Sequence, residues 1–218
     1  MTPHSPDFGL SLVSSDEVGA ALRRGFRHFV ELQKLMIPTA PQWYPCGGYM
    51  MRPGSMDYDP SMHAKQAALF AACKSARSVL EIGVHGGHSL LLALLANDTS
   101  TITCTDIGAF DHTLPCVRYL QSQFPGRVVY IQGDSLSVLS SMHATFDVVH
   151  VDGDHSYEGV RRDVAQALRL SHPEATFVID DYCDGVKRAV DDVNALDVVQ
   201  IPGGPWTNCV MKRRAAKT

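Results

Sequence analysis

The chain has 218 residues, of which 45% are hydrophobic, and this is enough for one α/β domain with a full core and a modest N-terminal extension. Its formal net charge of -4 and pI near 6.2 argue against a nucleic-acid partner, which normally binds a large basic patch. No run approaches the roughly 20 apolar residues of a membrane span, and the first residues lack the apolar core of a signal peptide, so we expect a cytoplasmic protein with no membrane partner.

The N-terminal part of the chain predicts a helix followed by a loop. Residues 14–17 are typical of a helix start, and residues 18–36 carry apolar side chains at helical spacing. Prolines end this helix, and residues 41–60 form a loop rich in glycine, proline and aromatic residues. We expect residues 1–60 to form an extension whose loop is either a lid or a packed surface loop. The long helix could also serve as a homodimer contact.

From residue 61 to the C-terminus, helices and strands alternate, which predicts one domain with a parallel sheet covered on both faces. The two last strands are close enough along the chain to form a hairpin. The predicted strands are residues 78–82, 101–106, 127–132, 146–152, 176–180, 198–201 and 208–211. The predicted helices are residues 61–73, 114–124, 135–142, 157–170 and 185–196, with a further helix after the first strand.

The stretch around residues 78–95 is where we expect a nucleotide-like ligand. A short aliphatic strand ends in the glycines Gly83, Gly86 and Gly87 and passes directly into a helix-forming run. Glycine accepts a positive φ and lets a ligand approach the backbone, while the helix start offers unpaired N–H groups. Ser89 is placed to cap that helix or to bind a carboxylate. Such turns also occur for packing alone, so the stretch by itself leaves both interpretations open.

Asp106 closes the second strand, and ligands of parallel sheets bind beyond the carboxyl ends of the strands. It lies about twenty residues after the glycine turn, where an acidic side chain can accept hydrogen bonds from ribose hydroxyls; the alternative is a helix cap or turn residue. His85 and His88 interrupt the G-x-G-x-x-G spacing, which disfavours a nicotinamide dinucleotide. An adenosyl ligand with a carboxylate in place of a pyrophosphate fits better.

An acidic cluster is predicted where the fourth and fifth strands end. Neighbouring parallel strands lie about 4.8 Å apart, so Asp152 and Asp180 would sit side by side if these strands are adjacent, with Asp181 next to them. Converging carboxylates repel one another, and a hard divalent ion relieves that repulsion. We therefore predict Mg²⁺ on Asp152, Asp180 and Asp181, with Mn²⁺ or Ca²⁺ as alternatives. The competing interpretation is a turn at Asp152 and a helix cap at the other two residues.

His155 lies three residues after Asp152, just beyond the strand end. An imidazole can take a proton from a hydroxyl whose acidity a metal has raised. His155 is therefore the predicted catalytic base.

Four motifs together resemble the class I S-adenosylmethionine-dependent methyltransferases. They are Glu81 to Ser89, Asp106, Gly133 to Ser135, and Val151 to His155. Within that class the sequence is most similar to small-molecule O-methyltransferases of the macrocin, mycinamicin and cephalosporin-tailoring type, and more distantly to catechol O-methyltransferase. The resemblance covers about residues 61–211 and implies a Rossmann-like fold.

The resemblance also implies roles for individual residues. Glu81, Gly83 and Ser89 would line the methionine part of the cofactor. Asp106 would hold the ribose, and Asp134 and Ser135 would face the adenine. Related metal-dependent enzymes carry acidic or amide residues at the positions of the predicted metal ligands, and the sugar-modifying ones carry a base at the position of His155. The full predicted cofactor set is Glu81, Gly83, His85, Gly87, Ser89, Asp106, Asp134, Ser135 and Asp152.

The resulting prediction is a metal-dependent O-methyltransferase acting on a hydroxyl of a small molecule of the sugar, polyketide or phenolic type. One alternative is a metal-independent methyltransferase acting on nitrogen or a carboxylate. Another is a nucleotide-binding protein that has lost turnover. A short-chain oxidoreductase is disfavoured by the glycine spacing and by the lack of an obvious Tyr-x-x-x-Lys pair.

Overall fold

The fold is built around one seven-stranded sheet. The structure is a computed structural model that describes residues 8–40, 48–203 and 207–214. Its strands are β1 (Ser78–Ile82), β2 (Thr101–Asp106), β3 (Val128–Gln132), β4 (Phe146–Val151), β5 (Ser171–Ile179), β6 (Leu196–Gln200) and β7 (Cys209–Arg213). Its α-helices are α1 (Glu17–Met36), α2 (His63–Cys73), α3 (His88–Ala96), α4 (Thr113–Gln123), α5 (Ser135–Ser141), α6 (Tyr157–Arg169) and α7 (Asp184–Val193).

The strand order is β3-β2-β1-β4-β5-β7-β6. Strands β1 to β5 pair in parallel, whereas β7 pairs antiparallel with both β5 and β6. The predicted fold class is thereby confirmed: a Rossmann-like, mostly parallel sheet with helices on both faces, a C-terminal antiparallel hairpin and an N-terminal helix. The chain reverses its direction across the sheet between β1 and β4, so the carboxyl ends of these two strands mark the expected ligand crevice.

The N-terminal segment packs into the main core. Asp16 caps α1 by accepting a hydrogen bond from the Gly19 N–H (2.8 Å), and α1 buries Phe29 and Leu32 in the same core as α3. Residues 49–51 and 58 are also buried, whereas residues 52–54, 57 and 60 are exposed, so the described part of the predicted loop packs into the core only in places. Residues 41–47 lie outside the described residues, and the division at residue 60 stays a prediction.

Several predicted boundaries in the C-terminal part of the chain are wrong. The last helix ends at Val193 instead of residue 196, because Asn194 adopts the left-handed conformation (φ 54°) that commonly ends helices. Strand β6 therefore begins at Leu196, which pairs with Arg213. Strand β5 begins at Ser171, earlier than predicted, and there it pairs with Phe146. Among the described helices, none combines the length and apolarity needed to cross a bilayer.

Candidate active site

The carboxyl ends of the parallel strands open into one cavity of about 840 Å³. A second cavity of about 50 Å³, next to the glycine turn, shares Tyr49, His85 and Asp152 with it and is also lined by Ser89. Glu81 and Gly87 line neither cavity. The predicted residues that line the large cavity are Gly83, His85, Asp106, Asp134, Ser135, Asp152, His155, Asp180 and Asp181.

The glycine turn brings the end of β1 against the end of β4. Gly83 has a φ of 87° and Gly87 a φ of 76°, values that favour glycine. A Cβ on Gly83 would lie 2.0 Å from the Asp152 carbonyl oxygen, so no larger residue fits there. His85 holds a positive φ of 50° and places its ring edge-on to Phe110. The backbone at Gly83 is therefore exposed to the cavity, with no side chain on this residue to cover it.

Asp106 holds the shape of this turn. Its Oδ2 accepts hydrogen bonds from the backbone N–H groups of Val84 (2.8 Å) and His85 (2.9 Å), and its Oδ1 accepts one from Gly108 (2.7 Å). The structure thus shows the turn role that was the alternative to ribose binding. Because the same carboxylate also lines the large cavity, the ribose contact stays a prediction.

Asp134 and Ser135 also have partners within the protein. Asp134 caps α5 by accepting a hydrogen bond from the Ser137 N–H (3.1 Å). The Ser135 hydroxyl donates to Oδ1 of the buried Asp163 (2.6 Å), and burial raises the pKa of Asp163. Both residues line the large cavity, and their predicted contact with adenine is untested.

The acidic cluster forms where β4 and β5 lie side by side. One ligand atom from each of His150, Asp152 and Asp180 lies within 4.8 Å of the others. Burial and the neighbouring Asp152 carboxylate raise the pKa of Asp180. Burial opposes ionisation of Asp152 too, but the hydrogen bond with His155 and the charges of His150 and Lys65 hold the pKa of Asp152 well below its usual range. The prediction that Asp152 and Asp180 lie close together is therefore confirmed.

The oxygens predicted to bind a metal already have partners. Lys65 Nζ lies 2.7 Å from Asp180 Oδ2 and 3.2 Å from Asp181 Oδ1. The Tyr49 hydroxyl donates to Asp180 Oδ1 (2.9 Å), and His155 Nδ1 lies 3.4 Å from Asp181 Oδ2. A divalent ion shared by Asp180 and Asp181 would have to displace the Lys65 ammonium. In this arrangement, Asp180 and Asp181 do not accommodate the predicted metal ion.

His155 stands at the edge of the cavity between two carboxylates. Its Nε2 lies 3.2 Å from Asp152 Oδ1, and its Nδ1 faces Asp181. The hydrogen bond with Asp152, supported by the surrounding carboxylates, raises the pKa of His155 to about 9. With 38% of its side chain exposed, His155 is oriented by the protein and accessible to a ligand in the cavity.

Four further residues complete the site: Tyr49, Lys65, His150 and Asn208. His150 connects Glu81 (Nδ1 to Oε1, 3.1 Å) with the Tyr49 hydroxyl (Nε2 to O, 3.0 Å), so a buried polar chain leads from β1 to Asp180. Burial raises the pKa of Glu81. It opposes the charge of His150, whose pKa is nevertheless raised by Glu81 and the nearby aspartates. Sequence reasoning treated His150 as an ordinary strand residue and singled out none of the other three.

Helical periodicity could have pointed to Lys65. It lies three and four residues before Ala68 and Leu69, which are buried on the same face of α2, and a lysine on a buried face needs a partner. Tyr49 and Asn208 lie in irregular segments, where periodicity carries no signal.

The central part of the sheet is similar to a known domain. Residues 80–182, from β1 to just after β5, match a family model described as a methyltransferase domain. A search of curated protein sequences found no significant match.

Solved structures of methyltransferases share the fold of this chain. An O-methyltransferase from Bacillus cereus in complex with SAH is 16% identical, with a TM-score of 0.60 over 84% of this chain and 90% of that one. The O-methyltransferase TomG from Streptomyces achromogenes, in complex with SAM, is 18% identical, with a TM-score of 0.59 over 94% and 92%. The N-methyltransferase NodS from Bradyrhizobium japonicum, in complex with SAH, is 14% identical, with a TM-score of 0.61 over 86% and 99%.

At these identities the likeness concerns the fold alone. Together with the domain match it supports an S-adenosylmethionine-dependent methyltransferase, while the neighbours differ in the atom they methylate.

Proposed function

We propose that this protein transfers the methyl group of S-adenosylmethionine to a hydroxyl of a small molecule, with His155 as the base. The observation that carries the proposal is a single cavity into which both the glycine turn and His155 open. Its volume of about 840 Å³ is in the range of small-molecule sites. A cofactor and a small acceptor could therefore meet within it.

The cofactor would occupy the side of the cavity formed by the ends of β1, β2 and β3. The open backbone at Gly83 and the start of α3 suit the carboxylate of a methionine group. Ser89 and His85 line the small cavity beside this turn, with Asp152 opposite. Glu81 lies beneath it, and the remaining contacts proposed for ribose and adenine are Asp106, Asp134 and Ser135.

His155 would act at the other side. Bound S-adenosylmethionine supplies a methyl group on a positively charged sulfur. A pKa of about 9 makes neutral His155 the minor form at pH 7, and this neutral form is the base. In it, Nε2–H keeps its hydrogen bond to Asp152, while Nδ1, whose contact with Asp181 is the longer one, takes the acceptor's proton, so methyl transfer should accelerate as the pH rises toward 9. The hydroxyl oxygen forms the new C–O bond as the methyl group leaves sulfur with the loss of its C–S bond. Asp152 then stabilises the imidazolium, and positioning supplies much of the rate.

The proposal includes no divalent metal. The sequence predicts one on Asp152, Asp180 and Asp181, but Lys65 already forms ion pairs with two of these carboxylates. Metal dependence therefore stays a prediction, and methyl transfer with and without EDTA tests it.

Calorimetric titration with S-adenosylmethionine tests the first half of the proposal. Transfer of a labelled methyl group to a panel of sugars, polyketides and phenols, followed by mass spectrometry with and without EDTA, tests the second half. We expect saturable cofactor binding and a methyl ether as product. Absence of cofactor binding would refute the proposal, and transfer to amines alone would refute its O-methyl part.

A further inference from the structure

Burial and specific contacts fix the position of the Lys65 side chain within the candidate active site. Only 8% of its side chain is exposed, and its ammonium lies 4.6 Å from the centre of the Tyr49 ring, a favourable cation–π distance. Its backbone carbonyl accepts a hydrogen bond from the Asn208 side chain (3.3 Å). Lys65 also lines the large cavity. Ordinary surface lysines have none of these constraints.

The ammonium and a metal ion would compete for the same space. Mg²⁺ binds oxygen ligands at about 2.0–2.1 Å, so an ion bridging Asp180 Oδ2 and Asp181 Oδ1 must lie between these atoms. Lys65 Nζ lies there, 2.7 Å and 3.2 Å from them. The two cations therefore exclude one another.

We infer that Lys65 is the built-in cation of this active site and that its ammonium, in place of a divalent metal, holds Asp180 and Asp181 in position for methyl transfer. The inference rests on the proposed function and deepens it. Asp180 is 3% exposed, and a buried carboxylate requires a counter-charge. Asp181 in turn faces His155 Nδ1. Lys65 thus acts on the proposed base through Asp181, as a positioning residue.

The chain offers a matched control in Lys74. It is the C-cap residue directly after helix α2 and also forms an ion pair, with Glu17 at 2.8 Å, but 55% of its side chain is exposed. A change at Lys74 removes the same charge from the protein without touching the acidic cluster.

Binding of Mn²⁺, followed by electron paramagnetic resonance, tests the inference without any methyl acceptor. The wild-type protein should bind Mn²⁺ only weakly. Lys65→Ala should bind it at least about tenfold more tightly, because a positive charge has left the ligand oxygens and space has opened between them. Lys74→Ala should behave as the wild type. Adding Asp180→Asn to Lys65→Ala should abolish the gained affinity, which would place the ion in the cluster.

Each result bears on Lys65 separately from the proposed function. Tight Mn²⁺ binding by the wild type, or equal affinities of the wild type and Lys65→Ala, would overturn the inference. If Lys65→Ala does not fold, the wild-type titration and methyl transfer in EDTA decide: weak binding with activity retained in EDTA supports the inference, and tight binding or lost activity refutes it. Failure to bind S-adenosylmethionine would refute the proposed function and leave the Mn²⁺ result standing.

Discussion

The two sides of the cavity hold their carboxylates in different ways. On the glycine-turn side, Asp106 and Asp134 accept hydrogen bonds from backbone N–H groups of nearby residues. At the ends of β4 and β5, Asp180 and Asp181 are instead paired with Lys65, a side chain from a helix more than a hundred residues earlier in the chain. Backbone donors maintain a shape, whereas side-chain cations set a charge balance. The glycine-turn side therefore depends on conformation and the acidic side on electrostatics.

The histidines follow the same division. Burial lowers the pKa of His88 to about 3 and that of His112 to about 4 on the glycine-turn side. On the acidic side, the hydrogen bond with Asp152 raises the pKa of His155 to about 9. The glycine-turn side thus disfavours a charged imidazole, whereas the acidic side favours one. Substitutions on the two sides should differ both in size and in kind.

The largest effect is expected for His155→Ala. Loss of a positioned base commonly lowers kcat about 10²–10⁴-fold, while the affinity for S-adenosylmethionine should stay nearly unchanged because the cofactor would bind on the other side. Single-turnover methyl transfer and calorimetry measure the two quantities.

His172→Ala is the control, since His172 is similarly exposed (46%) and also faces an aspartate, Asp147, far along the sheet. Full activity of His155→Ala, or an equal loss in both variants, would show that the acidic side lacks the proposed base.

Lys65→Met should cause the next largest loss, this time in the free energy of unfolding. The variant keeps the apolar stem but leaves Asp180 buried without its counter-charge, which typically costs about 3–5 kcal/mol. Urea unfolding measures it. Lys74→Met, in an exposed pair, should lose at most about 1 kcal/mol. Adding Asp180→Asn to Lys65→Met should recover part of the loss, and equal losses at both lysines would refute the charge-balance interpretation.

The part of this architecture that lies close together in sequence was predictable. The turn at Gly83 and Gly87 follows from a strand, a glycine cluster and a helix within one short stretch, and strand periodicity located Asp106. The proximity of Asp152 and Asp180 followed from one further assumption, that β4 and β5 are neighbours, and the structure confirms it.

The partners of the acidic residues were not predictable in the same way. Repulsion between converging carboxylates calls for a cation, and a divalent metal was predicted because oxygen ligands suit such an ion and because the resembling enzymes are metal-dependent. Lys65 and Tyr49 reach the cluster only after α2 and the preceding loop pack on the sheet. Such contacts depend on tertiary packing, to which neither spacing nor propensity is sensitive.

Burial of His88 on the glycine-turn side should make the free energy of unfolding depend on pH. His88 is 3% exposed, and among the residues that the structure describes neither of its ring nitrogens has a hydrogen-bond partner. Because the folded protein keeps this ring neutral while the unfolded chain takes up a proton below about pH 6.5, its contribution to stability is present above that pH and lost as the pH falls toward 3. Between pH 7 and pH 5 the wild type should lose about 2 kcal/mol more than His88→Leu.

Urea unfolding at the two pH values measures this difference. His143→Leu, at an exposed position, should lose as much stability as the wild type. If His88→Leu loses as much as well, the ring is not held neutral by burial.

The smallest effect is expected at Asp134, where the cap of α5 can be separated from the proposed adenine contact. Asp134→Ala should lower the free energy of unfolding by about 1 kcal/mol, the usual cost of losing an N-cap, and Asp134→Ser should restore it because serine also caps. Neither variant offers a carboxylate, so both should bind S-adenosylmethionine less tightly if the adenine contact exists. Thermal unfolding measures the stability of each variant, and calorimetry measures its affinity for S-adenosylmethionine. Equal stability of the two variants would mean that this carboxylate does not hold the helix start, and that the backbone-held side of the cavity is smaller than the hydrogen bonds indicate.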